Sequence, residues 1–263
     1  MRTQYCVRPS LTFPVLVIGT ALLVTRKNPL AGVARRDLWL LLLSGAAMGF
    51  NWIFLFEAYR YTTVSVATLA YYFAPVLVTL LCPFLFRERM GAKQILCFIF
   101  STLGVVLIVG ASGFEGGTHF IGVLLGLCAA VLYACVVLLN KGIRTAAGIS
   151  RTFLQFCAAA VVLLPYVLLT GGFHLSALNG SGWGFLIAVG LIHSGLAYCL
   201  YFTSLRHLPG QEAAILSYID PLVAVILSVG LLHEPLGLPQ IIGGVLILGF
   251  SLLNEIEWKR KAH

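Results

Sequence analysis

Asp220 sits in the middle of a long apolar run, AAILSYIDPLVAVILSVGLL, with Pro221 directly behind it. In hydrocarbon a carboxylate costs roughly 2.5–3.5 kcal/mol on insertion scales, so such an acid faces protein or a water-filled path and suits proton or cation binding. Pro221 has no N–H to give the Ser217 carbonyl, which frees backbone beside the acid and favours a kink. An acid next to opened backbone fits an ion or solute site. The rival is an acid hydrogen-bonded between helices for packing alone.

Tyrosines repeat the pattern. Tyr72 stands three residues before Pro75 and Tyr218 three before Pro221, so each pair shares a helix face. Thr68, Tyr71, Tyr72 and Pro75 follow i, i+3, i+4, i+7 spacing, a polar-aromatic stripe that would line a cavity for an amphipathic or aromatic solute. Tyr59 and Tyr61 lie nearer the end of their run and fit an interfacial belt. His193, read as the only histidine inside a helix, makes its run unusually polar together with Ser194, Tyr198 and Tyr201. A packed histidine and a proton relay both fit it. Asn51 and Trp52 hold the corresponding positions of an earlier run. Glu57 is placed to pair with Arg60, while Glu88 and Glu234 each precede a Gly turn, where they would pair with bases, cap the next helix or latch two ends.

No catalytic set is assembled from these residues. His233-Glu234 runs into Pro235 rather than a zinc-protease pattern, and no Gly-Lys-Ser/Thr phosphate loop is present, which excludes direct ATP hydrolysis by this chain. The seven cysteines are scattered without a C-x-x-C pair and read as packing residues with free thiols. No metal or cofactor is expected, and the chain is not read as an enzyme.

The elements that must carry these side chains are membrane helices. Of 263 residues, 60% are hydrophobic and 10% charged, with a mean hydropathy of +0.98; a soluble domain carries about 25% charged residues. Apolar runs fall at 11–25, 38–57, 65–86, 94–112, 120–140, 152–170, 183–203, 211–232 and 238–254. Each approaches the roughly 20 residues that cross hydrocarbon as a helix, so nine spans are expected. The net charge of +8 needs no nucleic acid, because Lys and Arg cluster at the ends of the runs. Arg2 and Arg8 precede the first run, but no small-residue cleavage site follows it, so it reads as a helix rather than a signal peptide.

A second regularity orders these spans. Residues 51–108 recur without a gap 146 positions later, carrying Arg60 to Arg206, Tyr72 to Tyr218, Pro75 to Pro221, Glu88 to Glu234 and Gln94 to Gln240. Arg87, Arg89 and Lys93 become His233, Pro235 and Pro239, so the second copy has lost its basic end. Alternate connections hold the basic residues, which places that side and the C-terminus in the cytoplasm. The offset is five helices, and an odd offset inverts topology, giving two inverted halves, 1–113 and 114–263. The run at 120–140 has no earlier partner, so the repeat calls for a further helix upstream, explained by a start assigned too late or by a shortened form. Gly45-x-x-x-Gly49 and Gly122-x-x-x-Gly126 suit close helix packing.

The motifs EAYRYTTVSVATLAYYFAPVLVTLL and TSLRHLPGQEAAILSYIDPLVAVILSVGLLHEPLGLPQIIGGVLI resemble the EamA-like members of the drug/metabolite transporter superfamily. That resemblance implies an all-α membrane fold of two inverted five-helix repeats, here lacking the first helix of the first, and the transport of small solutes.

The expected function is secondary transport of a small metabolite or drug-like solute, such as an amino acid or related compound, most naturally as export by alternating access. The expected location is the plasma or inner membrane, multi-pass, as a monomer or homodimer. Its partners are the solute, the lipid bilayer and a proton or other coupling ion. The cavity candidates are Asp220, Tyr72, Tyr218, Tyr71, Ser217, His193, Tyr198, Asn51 and Trp52, with Pro75 and Pro221 as kinks. A non-transporting scaffold or sensor is the alternative, and an intramembrane enzyme is a more remote one.

Overall fold

The computed structural model describes residues 32–86, 91–115, 117–143, 145, 148–170, 180, 184 and 219–255. Among them the secondary structure is helical, with no strand: α1 (Arg35–Tyr61), α2 (Val64–Tyr71), α3 (Ala74–Phe86), α4 (Ala92–Glu115), α5 (Gly117–Lys141), α6 (Gly148–Leu169), α7 (Ile219–Gly230) and α8 (Leu238–Glu255). Five stretches are long and apolar enough to cross a membrane, and α7 and α8 are shorter apolar helices. They coincide with seven of the apolar runs, α2 and α3 together forming one. The runs at 11–25 and 183–203 lie outside the described residues.

Helices form here because hydrocarbon offers backbone groups no partner but one another. On α4, the side chains of Ile99, Leu103 and Val106 are exposed along one stripe, a face suited to lipid. Two expectations meet the structure at once. Arg60 and Glu57 pair at 2.8 Å. His119 corrects the reading of His193 as the only helical histidine, because α5 begins at Gly117 and its first turn holds His119, bonded to Thr62 Oγ1 at 3.2 Å.

The described residues fall into two compact units. One takes residues 32–50 and the described residues from 139 to 184. In it, Gly45 and Gly49 let α1 approach α6: a Cβ added at Gly45 would come within 2.6 Å of Ala158 Cβ, and one at Gly49 within 3.0 Å of Val162 Cβ. Leu41, Ile143 and Leu154 form its apolar centre. A polar chain also runs through this unit. Gln155 Nε2 donates to Ser44 Oγ at 2.8 Å and to Asn140 Oδ1 at 2.7 Å. Arg151 Nε donates to the same Asn140 oxygen at 3.2 Å. Asp37 accepts from the Thr145 N–H at 2.7 Å and hydroxyl at 2.6 Å.

The other unit takes residues 51–138 and 219–255. Val66, Leu69, Ala70, Ile108, Val123 and Ile247 form its buried core. Gly126 admits α2 closely, since an added Cβ would meet Ala70 Cβ at 3.2 Å, and Gly122 packs on the α1–α2 connection, where an added Cβ would lie 2.6 Å from Thr62 Cβ. α4 and α8 also approach closely, for a Cβ on Gly104 would lie 2.6 Å from the Gly243 carbonyl oxygen and the reverse holds equally.

The 146-residue offset is visible in this packing. It takes Phe100 to Leu246 and Gly104 to Phe250. Phe100 and Phe250 stack at 4.5 Å, and Gly104 meets Leu246, so one contact is made twice, once from each copy. Local geometry repeats too. Gln94 Oε1 accepts from the Gly91 N–H at 2.7 Å, and Gln240 Oε1 from the Gly237 N–H at 2.6 Å.

Candidate functional site

The second unit brings several of the expected residues together where a spanning helix breaks. Residues 64–82 form one membrane-length stretch, yet α2 ends at Tyr71 and α3 begins at Ala74. Pro75 causes this. It has no N–H for the Tyr71 carbonyl, and the Val76 N–H goes to Phe73 at 3.1 Å rather than four residues back to Tyr72. The Phe73 N–H likewise takes the Ala70 carbonyl at 3.2 Å, one residue short of the α-helical ladder. Irregular backbone at membrane depth is tolerated where it is buried in protein or lines a water-filled cavity.

Aromatic and polar side chains gather at the break. Tyr71 packs edge-on to Tyr72, with ring centroids 5.6 Å apart at 90°, and against Tyr133 of α5 at 5.4 Å and 53°. Asn51 is 1% exposed, and its Nδ2 donates to the Ala129 carbonyl at 2.6 Å. The Tyr59 and Thr68 hydroxyls are in contact at 3.4 Å, which ties α1 to α2. Asp220, on α7, is exposed, and α7 packs against α2, where Ser65 Oγ donates to Ser228 Oγ at 2.6 Å. Pro221 beside Asp220 is buried.

The arrangement therefore joins Asn51, Tyr71, Tyr72 and Asp220 with Pro75 and Pro221. Trp52 neighbours Asn51 on α1 and is half-buried. Ser217, Tyr218, His193 and Tyr198 lie outside the described residues. Tyr133 was missed by the sequence reading. It stands alone in an apolar helix, and only the fold places it beside Tyr71.

A second polar group holds the start of the broken helix. Thr63 caps α2 by accepting from the Val66 N–H at 3.2 Å. Glu234 Oε2 accepts from the Val64 N–H at 2.9 Å and from Ser228 Oγ, whose own oxygen accepts from Ser65 Oγ at 2.6 Å. Glu234 thus caps α2, not the helix that follows it in sequence. Position explains this: a carboxylate at a helix N-terminus meets unpaired N–H groups and the positive end of the dipole. Chemically, the described residues around the break offer the Asp220 carboxylate, tyrosine rings with hydroxyls, and opened backbone, which suit holding a solute.

Comparison with known proteins agrees with that chemistry. The model of the EamA-like transporter family matches the chain twice, over residues 6–110 and 120–254. The chain is similar to the uncharacterized transporter YxxF of Bacillus subtilis, 33% identical over 235 residues, covering 88% of this chain and 74% of the relative. It is also similar to an uncharacterized transporter of Archaeoglobus fulgidus, 30% identical over 203 residues, 77% of this chain and 70% of that one. A solved crystal structure shares the fold with a TM-score of 0.57 at 21% identity, covering 95% of this chain and 87% of the other. With its all-helical fold and twice-matched repeat, the chain belongs to the EamA-like transporter family, a family of multi-pass membrane transporters for small solutes.

Proposed function

We propose that this protein is a secondary transporter that exports a small metabolite, an amino acid or related compound, by alternating access. The observation that carries the reading is the break in the α2–α3 span at Tyr72–Phe73, set among Asn51, Tyr71, Tyr133 and Asp220. Discontinuous helices near the bilayer midplane form solute and ion sites in transporters, since they present backbone groups that a continuous helix consumes. The halves 1–113 and 114–263 act as inverted repeats that rock about this site. Tyr218 and Ser217 contribute the second copy's share, while His193 and Tyr198 line the route. A proton or other ion bound at Asp220 couples the cycle. The basic connections and the C-terminus face the cytoplasm, on the asymmetry of Lys and Arg. The chain works as a monomer or a homodimer in the plasma membrane.

Proteoliposomes loaded with an unlabelled amino acid mixture test the reading by counterflow. Saturable uptake of a labelled amino acid above protein-free liposomes is the expected result. Equal uptake with and without protein, across amino acids and amphipathic amines, would overturn it in favour of a scaffold or sensor.

A further inference from the structure

We propose that α3, α4 and α8 build a site for an ordered water molecule, held by Ser101, Ser251 and Asn254 within the second unit. Ser101 Oγ, Ser251 Oγ and Asn254 Oδ1 are buried there with no hydrogen-bond partner among the described residues. Both serines are 0% exposed. Other hydroxyls on these helices are served by their own backbone. Thr102, next to Ser101, donates to the Phe98 carbonyl at 2.7 Å, and Thr79 donates to the Pro75 carbonyl at 3.0 Å, each one helical turn back. A polar group buried without a partner is costly, above all in helices that cross hydrocarbon.

Helix register brings the three orphaned atoms to one level. A Cβ added at Gly104 would lie 2.9 Å from Ile247 Cγ1, and Phe100 stacks on Phe250 at 4.5 Å, so α4 and α8 run antiparallel. Ser101 stands three residues before Gly104 and Ser251 four after Ile247, which puts both on the facing stripes, one turn beyond the glycine contact. Each also directly follows its partner in the Phe100–Phe250 stack. Asn254 is the next turn of α8 on the same face. Its amide has a fixed sense. Thr79 spends its proton on the Pro75 carbonyl, so Asn254 Nδ2 donates to Thr79 Oγ1, at 2.7 Å, and Oδ1 is the free end.

The donors and acceptors select the occupant. The amide oxygen only accepts, and each hydroxyl can donate or accept. Water can donate to Asn254 Oδ1 and bond both serines, and buried waters make about three such bonds. A metal ion in hydrocarbon needs its charge balanced, whereas the three orphaned groups are all neutral. The water completes a polar string from the Pro75 carbonyl through Thr79 and Asn254 to the serines, which links the broken span to the α4–α8 contact.

Thermal unfolding of the full chain in detergent tests this with Ser101→Ala, Ser251→Ala and the double variant. Each single change should lower the midpoint by about 2–4 °C, the shift expected from one net hydrogen bond. The double variant should fall little further, because one shared water is lost either way. A high-resolution crystal structure of the unaltered chain should show water density within hydrogen-bond distance of all three atoms. Single variants as stable as the unaltered chain, or more so, would overturn the proposal, as would fully additive losses. A map with both serines bonded to carbonyls of their own helices and no density between them would overturn it too. A midpoint raised by sodium chloride over choline chloride, and no longer raised in Ser101→Ala, would replace the water with a cation.

Discussion

The carboxylate of Glu234 accepts a hydrogen bond from the backbone N–H of Val64 at 2.9 Å, across 170 positions of chain. Through this bond the connection between α7 and α8 holds the first turn of the broken helix α2. Glu234→Ala should lower stability by about 1–3 kcal/mol, since it removes a cap and leaves the buried Ser228 without its acceptor. Glu234→Gln keeps an acceptor and should cost less. Thermal unfolding in detergent measures both, and an unchanged midpoint for Glu234→Ala would contradict the cap.

The α4–α8 approach predicts a sharp contrast among glycines. Gly104→Ala would push a methyl to 2.6 Å from the Gly243 carbonyl oxygen, so it should destabilise by about 1–3 kcal/mol. Gly110→Ala, on the same helix with nothing within 4 Å, should be neutral or slightly stabilising. Similar unfolding midpoints for the two variants would contradict the packing.

Pro75→Ala tests whether the break is functional. Alanine restores the N–H that the Tyr71 carbonyl lacks and is a strong helix former that would let α2 and α3 run on as one helix. The variant should therefore be at least as stable as wild type yet slower in counterflow. Wild-type flux from a stable Pro75→Ala protein would show that the break serves packing alone.

Much of this architecture was legible in advance, for identifiable reasons. Apolar length marks a membrane helix without reference to its neighbours, so α1 through α8 fall on the apolar runs. Pro75 announces its own break because its chemistry is local. The stripe of Thr68, Tyr71 and Tyr72 was readable from spacing, and Asn51 was singled out for polarity within an apolar run. Pairings across the chain were not readable. Nothing near Glu234 says that its partner is Val64, and nothing near Tyr133 says that it meets Tyr71. The chain of Ser44, Asn140, Arg151 and Gln155 was not readable either, because its bonds join three separate segments, with only Arg151 and Gln155 on one helix.

That polar chain yields its own prediction. Gln155→Leu removes the donor shared by Ser44 and Asn140, both bonded at under 3 Å. Hydrogen bonds between membrane helices average about 0.6 kcal/mol and reach about 1.7, so a loss of roughly 1–2 kcal/mol is expected. Unfolding in denaturant-titrated mixed micelles would measure it, and a stabilised variant would contradict the role assigned to these bonds.

Solute flux through Asp220→Asn tests the central claim most directly. The amide keeps the shape of the side chain and some of its hydrogen bonding but cannot ionise. In proteoliposomes carrying equal amounts of folded protein, Asp220→Asn should lose coupled flux, and Tyr72→Phe should weaken apparent affinity only by about 0.5–1.5 kcal/mol, the net worth of one hydrogen bond. Flux at the wild-type rate from Asp220→Asn at several pH values would contradict the account and leave Asp220 a packing residue.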